Sequence, residues 1–128
     1  MSQITRPPIY VTDAELERLS DLAHAVQGRE PAADMLIEEL SRARVTAVED
    51  VPVDVVRMHD RVNFVYDGAR YEDFTLVYPY EANIADKRIS ILTQVGAMLI
   101  GLQVGDAMQW AGRDGRGHSM EVLEVSRN

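Results

Sequence analysis

The stretch that most constrains this chain runs from residue 89 to 106, ISILTQVGAMLIGLQVGD. Val95, Met98, Leu99 and Leu102 follow the i, i+3, i+4, i+7 spacing that gives a helix one buried stripe. Thr93 stands where a hydroxyl can accept from the first free backbone amides of that helix. Gly101 stands where a left-handed C-terminal cap needs a residue without Cβ. Gly105-Asp106 then turns the chain into a strand over 107–110. So short a helix does not hold alone in water. The segment therefore predicts a sheet to pack on, supplied by the flanking chain.

Upstream, the pattern is helical. Thr12-Asp13-Ala14-Glu15 is a capping box, in which threonine and glutamate satisfy each other's orphan amides. Leu16, Leu19, Leu22, Ala23 and Val26 form one apolar stripe, with Glu17, Arg18 and Asp21 on the opposite face. Gln27-Gly28 stops this helix, and Pro31 opens a second at its first turn, where a missing N–H costs nothing. Met35, Leu36, Leu40 and Ala43 carry the second stripe. Two helices joined this closely run antiparallel, so 12–44 is expected to be a short helical hairpin of coiled-coil type, projecting roughly 20 Å. Pro7-Pro8 keeps 1–11 extended. Pro52 with Glu49, Asp50 and Asp54 marks 45–54 as a linker, in which Val51 and Val53 favour an edge strand.

From Val55 the period falls to two. Val62, Phe64 and Tyr66 alternate with polar neighbours up to a tight-turn signal at Asp67-Gly68. Phe74, Leu76 and Tyr78 continue beyond it, Pro79 ends that strand, and 80–88 reads as a polar crossing loop. After the helix and the strand over 107–110, a second turn over 113–117 leads to a last strand over 120–125. The expected class is α+β: residues 55–128 supply four or five antiparallel strands curved around one helix.

Composition narrows the function. The chain has 128 residues, 46% of them hydrophobic, and no cysteine. That suits one ordinary core and excludes disulfides, thiolate metal sites and a cysteine nucleophile. No run of about 18 apolar residues spans a membrane, and the N-terminus lacks a signal-peptide core, so a cytoplasmic protein is expected. Net charge is −8, and residues 1–54 hold 11 acids against 5 arginines. Such a chain is a poor direct ligand for a nucleic-acid backbone, which needs clustered Lys and Arg. An acidic N-terminal element suits a basic protein surface.

Ile89-Ser90, Val95-Gly96-Ala97, Leu99-Ile100-Gly101 and Val104-Gly105-Asp106 resemble the signature of the C-terminal domain of the GreA/GreB transcription elongation factor family. Leu76-Val77-Tyr78-Pro79, and Trp110 after Gly105-Asp106, narrow the resemblance to its Rnk branch, the regulators of nucleoside diphosphate kinase. The resemblance covers 55–125 by motif and the N-terminal part by architecture. It implies a bacterial, non-enzymatic, monomeric transcription regulator without a cofactor. Its C-terminal domain would be FKBP-like and dock on RNA polymerase at the secondary-channel rim, with the hairpin directed into the channel. Where the family pattern has proline after Ser or Thr at the helix start, this chain has Gln94, which can take the same φ.

Gre-type cleavage, on that resemblance, needs carboxylates at the hairpin tip to hold a second Mg²⁺. The tip here is Gln27, Gly28, Arg29 and Glu30, with Asp34 four residues after Glu30 and so on its face if both are helical. Glu30 also complements the dipole of the second helix. A hairpin shorter than the Gre one should not reach the catalytic Mg²⁺, so no cleavage activity is expected. Lys87, Arg88, Arg113 and Arg116 are the basic candidates for docking on an acidic polymerase surface. His24, His59 and His118 lack metal-ligand spacing, Ser90 lacks a histidine partner, and Asp106 reads as a turn residue. The other partners considered are nucleoside diphosphate kinase itself and, given the FKBP-like fold, a proline peptide for isomerisation.

Overall fold

The computed structural model describes residues 6–112 and 115–127. The chain is a mixed α+β fold with three α-helices and a mostly antiparallel sheet among the described residues. A short strand β1 (Tyr10–Val11) leads into α1 (Asp13–Ala25). The capping box forms as read: Glu15 N–H donates to the Thr12 hydroxyl at 3.1 Å, and Thr12 N–H to the Glu15 carboxylate at 2.9 Å. Helix α2 (Pro31–Ser41) returns antiparallel to α1 and ends beside β2 (Arg44–Val45). Strand β2 pairs with β1, and the pair is parallel. The sequence placed the extended valines later, at Val51 and Val53. Instead Val48–Asp50 makes a 3₁₀ turn and Val53 is exposed. The cause is tertiary, because β1 offers its edge to the chain as it leaves α2.

The main sheet has the order β5-β4-β3-β7-β6. Strands β3 (Arg61–Tyr66) and β4 (Ala69–Val77) form the expected hairpin. Asp67 and Gly68 both have positive φ, the conformation of a tight turn matched to strand twist. Strands β6 (Ala107–Ala111) and β7 (Gly117–Ser126) form the second hairpin, and β7 pairs with β3. Of the turn between them, Arg113 and Asp114 lie outside the described residues.

Two sequence expectations change here. Residues 80–88 are not a plain loop but two 3₁₀ turns, Pro79–Glu81 and Ile84–Asp86, followed by β5 (Arg88–Ser90). And β5 pairs with β4 in parallel, so the sheet is not wholly antiparallel. A three-residue strand is too short to show a period, which is why its sequence did not reveal it.

Helix α3 (Gln94–Leu99) is one and a half turns long. Thr93 caps it, accepting from Gly96 N–H at 3.0 Å, and Gly101 follows with φ +79°. Gly96 is needed where the helix crosses β5: a Cβ there would stand 2.1 Å from the Ser90 carbonyl oxygen. The core is continuous. Leu19, Ala23, Leu36 and Leu40 of the hairpin share one buried cluster with Phe64, Leu76, Leu99, Leu102 and Trp110. Thus α2 packs against α3, and the hairpin lies along the body instead of projecting from it.

Candidate functional site

Three features on the surface of this fold carry chemistry: the hairpin tip with the cleft beside it, the seam where α1 crosses the body, and the basic residues.

At the tip, Val26 N–H and Arg29 N–H close the turn on Ala23 and Val26 carbonyls, and Gly28 takes φ +89°. The Arg29 guanidinium donates to the Ala25 carbonyl at 3.0 Å. The Gln27 amide donates to the Asp34 carboxylate at 3.4 Å. Glu30 is the N-cap of α2, yet its side chain makes no capping hydrogen bond. Glu30 is in extended backbone, outside the helix, so it does not share a helical face with Asp34.

Beside Glu30 a cleft of about 570 Å³ opens between the tip and the sheet, lined by Pro31, Ala32, Met35, Tyr66, Leu92, Gln94 and His118. Its far wall is a stack of rings. Tyr66 and His118 lie 3° from parallel with centroids 6.0 Å apart, and Trp110 stacks behind both. The His118 Nδ1–H donates to Asp67 at 2.7 Å, and the other Asp67 oxygen accepts from Ser119 N–H at 2.9 Å. Gln94, the first residue of α3, donates its side-chain amide to the Tyr66 hydroxyl at 2.5 Å. The buried Trp110 indole N–H has no partner among the described residues.

Sequence reading did not bring Tyr66, Leu92, Gln94 and His118 together with the hairpin. One signal was present, a polar residue at 94 where the resemblance leads to an expectation of proline. The pairing of residues 67 and 118 across the β3–β7 contact left no mark in sequence.

The seam is polar. Glu15, already in the capping box, accepts from Arg57 Nε at 2.9 Å. Arg18 lies over the Tyr78 ring at 4.3 Å, and Tyr80 stacks on Tyr78 with 5.9 Å between centroids. His59 Nε2 donates to Glu81 at 2.8 Å, and this hydrogen bond holds the Glu81 carboxyl below its ordinary range. Asp60 is buried, which pushes its carboxyl above the ordinary aspartate range despite the bond from Arg57 N–H. Burial likewise raises the Tyr78 phenol. On the far side of α2, Glu39 is 1% exposed and clamped between Arg6 at 3.0 Å and Arg42 at 2.6 Å. Arg42 also donates to the Pro7 carbonyl at 2.7 Å.

The basic candidates do not converge. Lys87 caps the second 3₁₀ turn in the left-handed conformation and donates to the Glu72 carbonyl at 3.1 Å. Arg88 begins β5 at one sheet edge, beside exposed Tyr80 and Ile84. Arg116 precedes β7 near the opposite edge, and Arg113 lies outside the described residues. Arg88 registers through Thr75 and Arg61 with Ser126, the end of β7 remote from Gly117. Strand spacing and rise put the two groups on the order of 30 Å apart.

Among the described residues no group of three histidines and carboxylates could hold a metal ion. No helix among them is long and apolar enough to cross a membrane.

Residues 51–127 match the family model described as "Transcription elongation factor, GreA/GreB, C-term", and residues 7–45 match "Rnk N-terminus". The chain is 39% identical over 126 residues to the regulator of nucleoside diphosphate kinase of Escherichia coli K12, covering 95% of this chain and 91% of that one. It is 28% identical over 119 residues to transcription elongation factor GreA of Rhodospirillum rubrum, covering 85% and 76%. A solved structure of a GreA/GreB transcription elongation factor from Nitrosomonas europaea superposes with a TM-score of 0.70 at 34% identity, over 94% of this chain and 99% of that one.

Proposed function

Because the chain belongs to the GreA/GreB transcription elongation factor family and carries an Rnk-type N-terminus, we propose that it is a transcription regulator that binds RNA polymerase near the secondary channel without promoting transcript cleavage. It would compete there with the longer cleavage factors. The observation that carries this reading is the length and lie of the hairpin. Its arms have 13 and 11 residues, about 20 and 17 Å at 1.5 Å per residue. Its second arm packs on α3, and its start borders a cleft against Tyr66 and Leu92. A tip held this way has little reach left to carry Glu30 and Asp34 to a distant catalytic Mg²⁺.

Docking is assigned to residues 55–128, read as an FKBP-like domain, through Lys87 and Arg88. These lie beside Tyr80 and Ile84, which are 77% and 68% exposed. A basic pair flanked by exposed apolar side chains suits a protein surface, the apolar part giving affinity and the charges orientation. An isomerase role is disfavoured, since Phe64 and Trp110 are buried in the core and unavailable to a substrate pocket.

The test is a pull-down of core RNA polymerase with the full chain, together with a cleavage assay on a stalled complex. Binding without cleavage is expected. Absence of binding, or cleavage lost in Glu30→Gln, would overturn the reading. Deleting 12–44 is not a usable control, because it would remove Leu19, Leu36 and Leu40 from the shared core. The name of the Escherichia coli relative makes purified nucleoside diphosphate kinase the second bait in the same experiment.

A further inference from the structure

The cleft beside the hairpin tip has a chemistry that the family reading leaves unused. One wall is apolar and comes from the start of α2: Pro31, Ala32 and Met35. The other presents Leu92 and the stacked Tyr66 and His118 rings. Two polar groups complete the lining. Glu30 has no side-chain capping bond, and its carboxylate has no hydrogen bond or ion pair among the described residues. Gln94 spends its amide N–H on the Tyr66 hydroxyl, leaving its carbonyl oxygen as an acceptor. Any positive charge on His118 is offset by Asp67, 2.7 Å away.

We propose that this cleft receives an arginine side chain from a basic segment of a protein partner. The guanidinium pairs with Glu30, lies on the Tyr66–His118 wall and donates to Gln94, while the aliphatic stem runs along Met35 and Leu92. Each part of the cleft matches a property of that side chain. A guanidinium is planar, always charged and more weakly hydrated than an ammonium, and it stacks on aromatic faces. Its stem covers apolar surface while the head stays polar.

Competing occupants fit less well. A phosphate or other anion would meet Glu30 directly. A purely apolar side chain would strip water from Glu30 and return no hydrogen bond. The N-terminal element that supplies this wall is acidic as a whole, residues 1–54 holding 11 acids against 5 arginines, which favours approach of a basic segment.

This inference does not depend on RNA polymerase being the partner, and its test uses none. The ¹⁵N-labelled full chain is titrated with N-acetyl-arginine amide, N-acetyl-lysine amide and N-acetyl-citrulline amide, following the Ala32 backbone amide and the Gln94 side-chain amide. Saturable shifts are expected with arginine in the millimolar range, weaker ones with lysine and none with citrulline. Glu30→Gln, an exposed substitution, should weaken arginine binding roughly tenfold, the loss of one charge-assisted pair. Its unchanged spectrum elsewhere would report an intact fold. Citrulline binding as well as arginine, shifts that never saturate, or Glu30→Gln binding like the parent would each overturn the assignment. A failed polymerase pull-down would leave it standing.

Discussion

Gly101 lies so close to Ile9 that a methyl group on it would stand 2.7 Å from the Ile9 Cβ. Its carbonyl accepts from Tyr10 N–H at 3.1 Å, and its own N–H donates to the Val56 carbonyl at 2.9 Å. Three separate stretches of chain therefore meet at one glycine just past α3. Gly101→Ala combines a left-handed conformation with an overpacked contact and should cost about 3 kcal/mol. Gly28→Ala, also at positive φ but with open space around it, should cost only about 1 kcal/mol. Denaturant unfolding of the two variants would check the difference; equal losses would mean the Ile9 contact relaxes freely.

Glu39 sits on the buried side of α2 between two arginines. Glu39→Gln leaves both guanidiniums facing a neutral amide, with a loss of about 2 kcal/mol, below the usual range for a broken buried pair because the arginines are about a quarter exposed. Arg6→Ala should cost less, because Arg42 remains. The order of the two unfolding midpoints tests the clamp.

Asp60 and Glu81 should give stability opposite dependences on pH. Burial raises the Asp60 pKa, so Asp60 favours the fold below its ordinary range, and that contribution is lost as pH rises through the folded value. The hydrogen bond from His59 lowers the Glu81 pKa, so Glu81 contributes above its ordinary range and loses that contribution as pH falls through the folded value. Asp60→Asn keeps an oxygen for Arg57 N–H and removes the titration. Relative to the parent it should become more stable as pH rises from about 4 towards neutrality. Chemical denaturation across that interval provides the measurement, and a flat difference would contradict the burial argument.

Lys87→Glu with Arg88→Glu should weaken polymerase capture at least about tenfold, as expected for reversing two charges in one footprint. Arg116→Glu, near the opposite sheet edge, should leave capture within about twofold of the parent. Loss of binding in Arg116→Glu alone would move the footprint to the β6–β7 end.

Gln94→Pro exchanges the bond to the Tyr66 hydroxyl for a preset φ at the first helical residue. The lost hydrogen bond and the reduced freedom of the unfolded chain are each worth about 1 kcal/mol, so stability should change little. A thermal melt would register it, and the Tyr66 ring should become more mobile by NMR.

What was legible in sequence was what neighbours enforce. The Thr12–Glu15 box, the Thr93 cap, the Asp67-Gly68 turn and the left-handed Gly101 are each set within a few residues, and all formed as read. The alternation of Val62, Phe64 and Tyr66 likewise gave one face of the sheet. Hidden were the relations that only folding creates. Glu39 looks like a surface acid on a helix until Arg6, 33 residues away, closes over it. Arg57 gives no hint that it will reach Glu15 across 42 residues. The cleft was hidden for the same reason: its walls come from residues 30–35, 66, 92–94 and 118, and no short pattern links them.

The parallel pairing of Tyr10–Val11 with Arg44–Val45 has a consequence for how such molecules diversify. Arg44 N–H bonds to Ile9 O and Thr46 N–H to Val11 O, both at 2.8 Å, so the hairpin departs and returns at one stitched seam. Between residues 12 and 43 the chain is an excursion from that seam whose base, through Leu19, Ala23, Ala33, Leu36 and Leu40, is tied to the shared core, while its outer end is not. Two turns, about seven residues, added to each arm on the tip side of Ala23 and Ala33 would move the tip outward by roughly 10 Å while leaving the seam and the buried base of the hairpin untouched. Reach is thus an independently adjustable dimension of this architecture: one body can carry a long probe or a short plug.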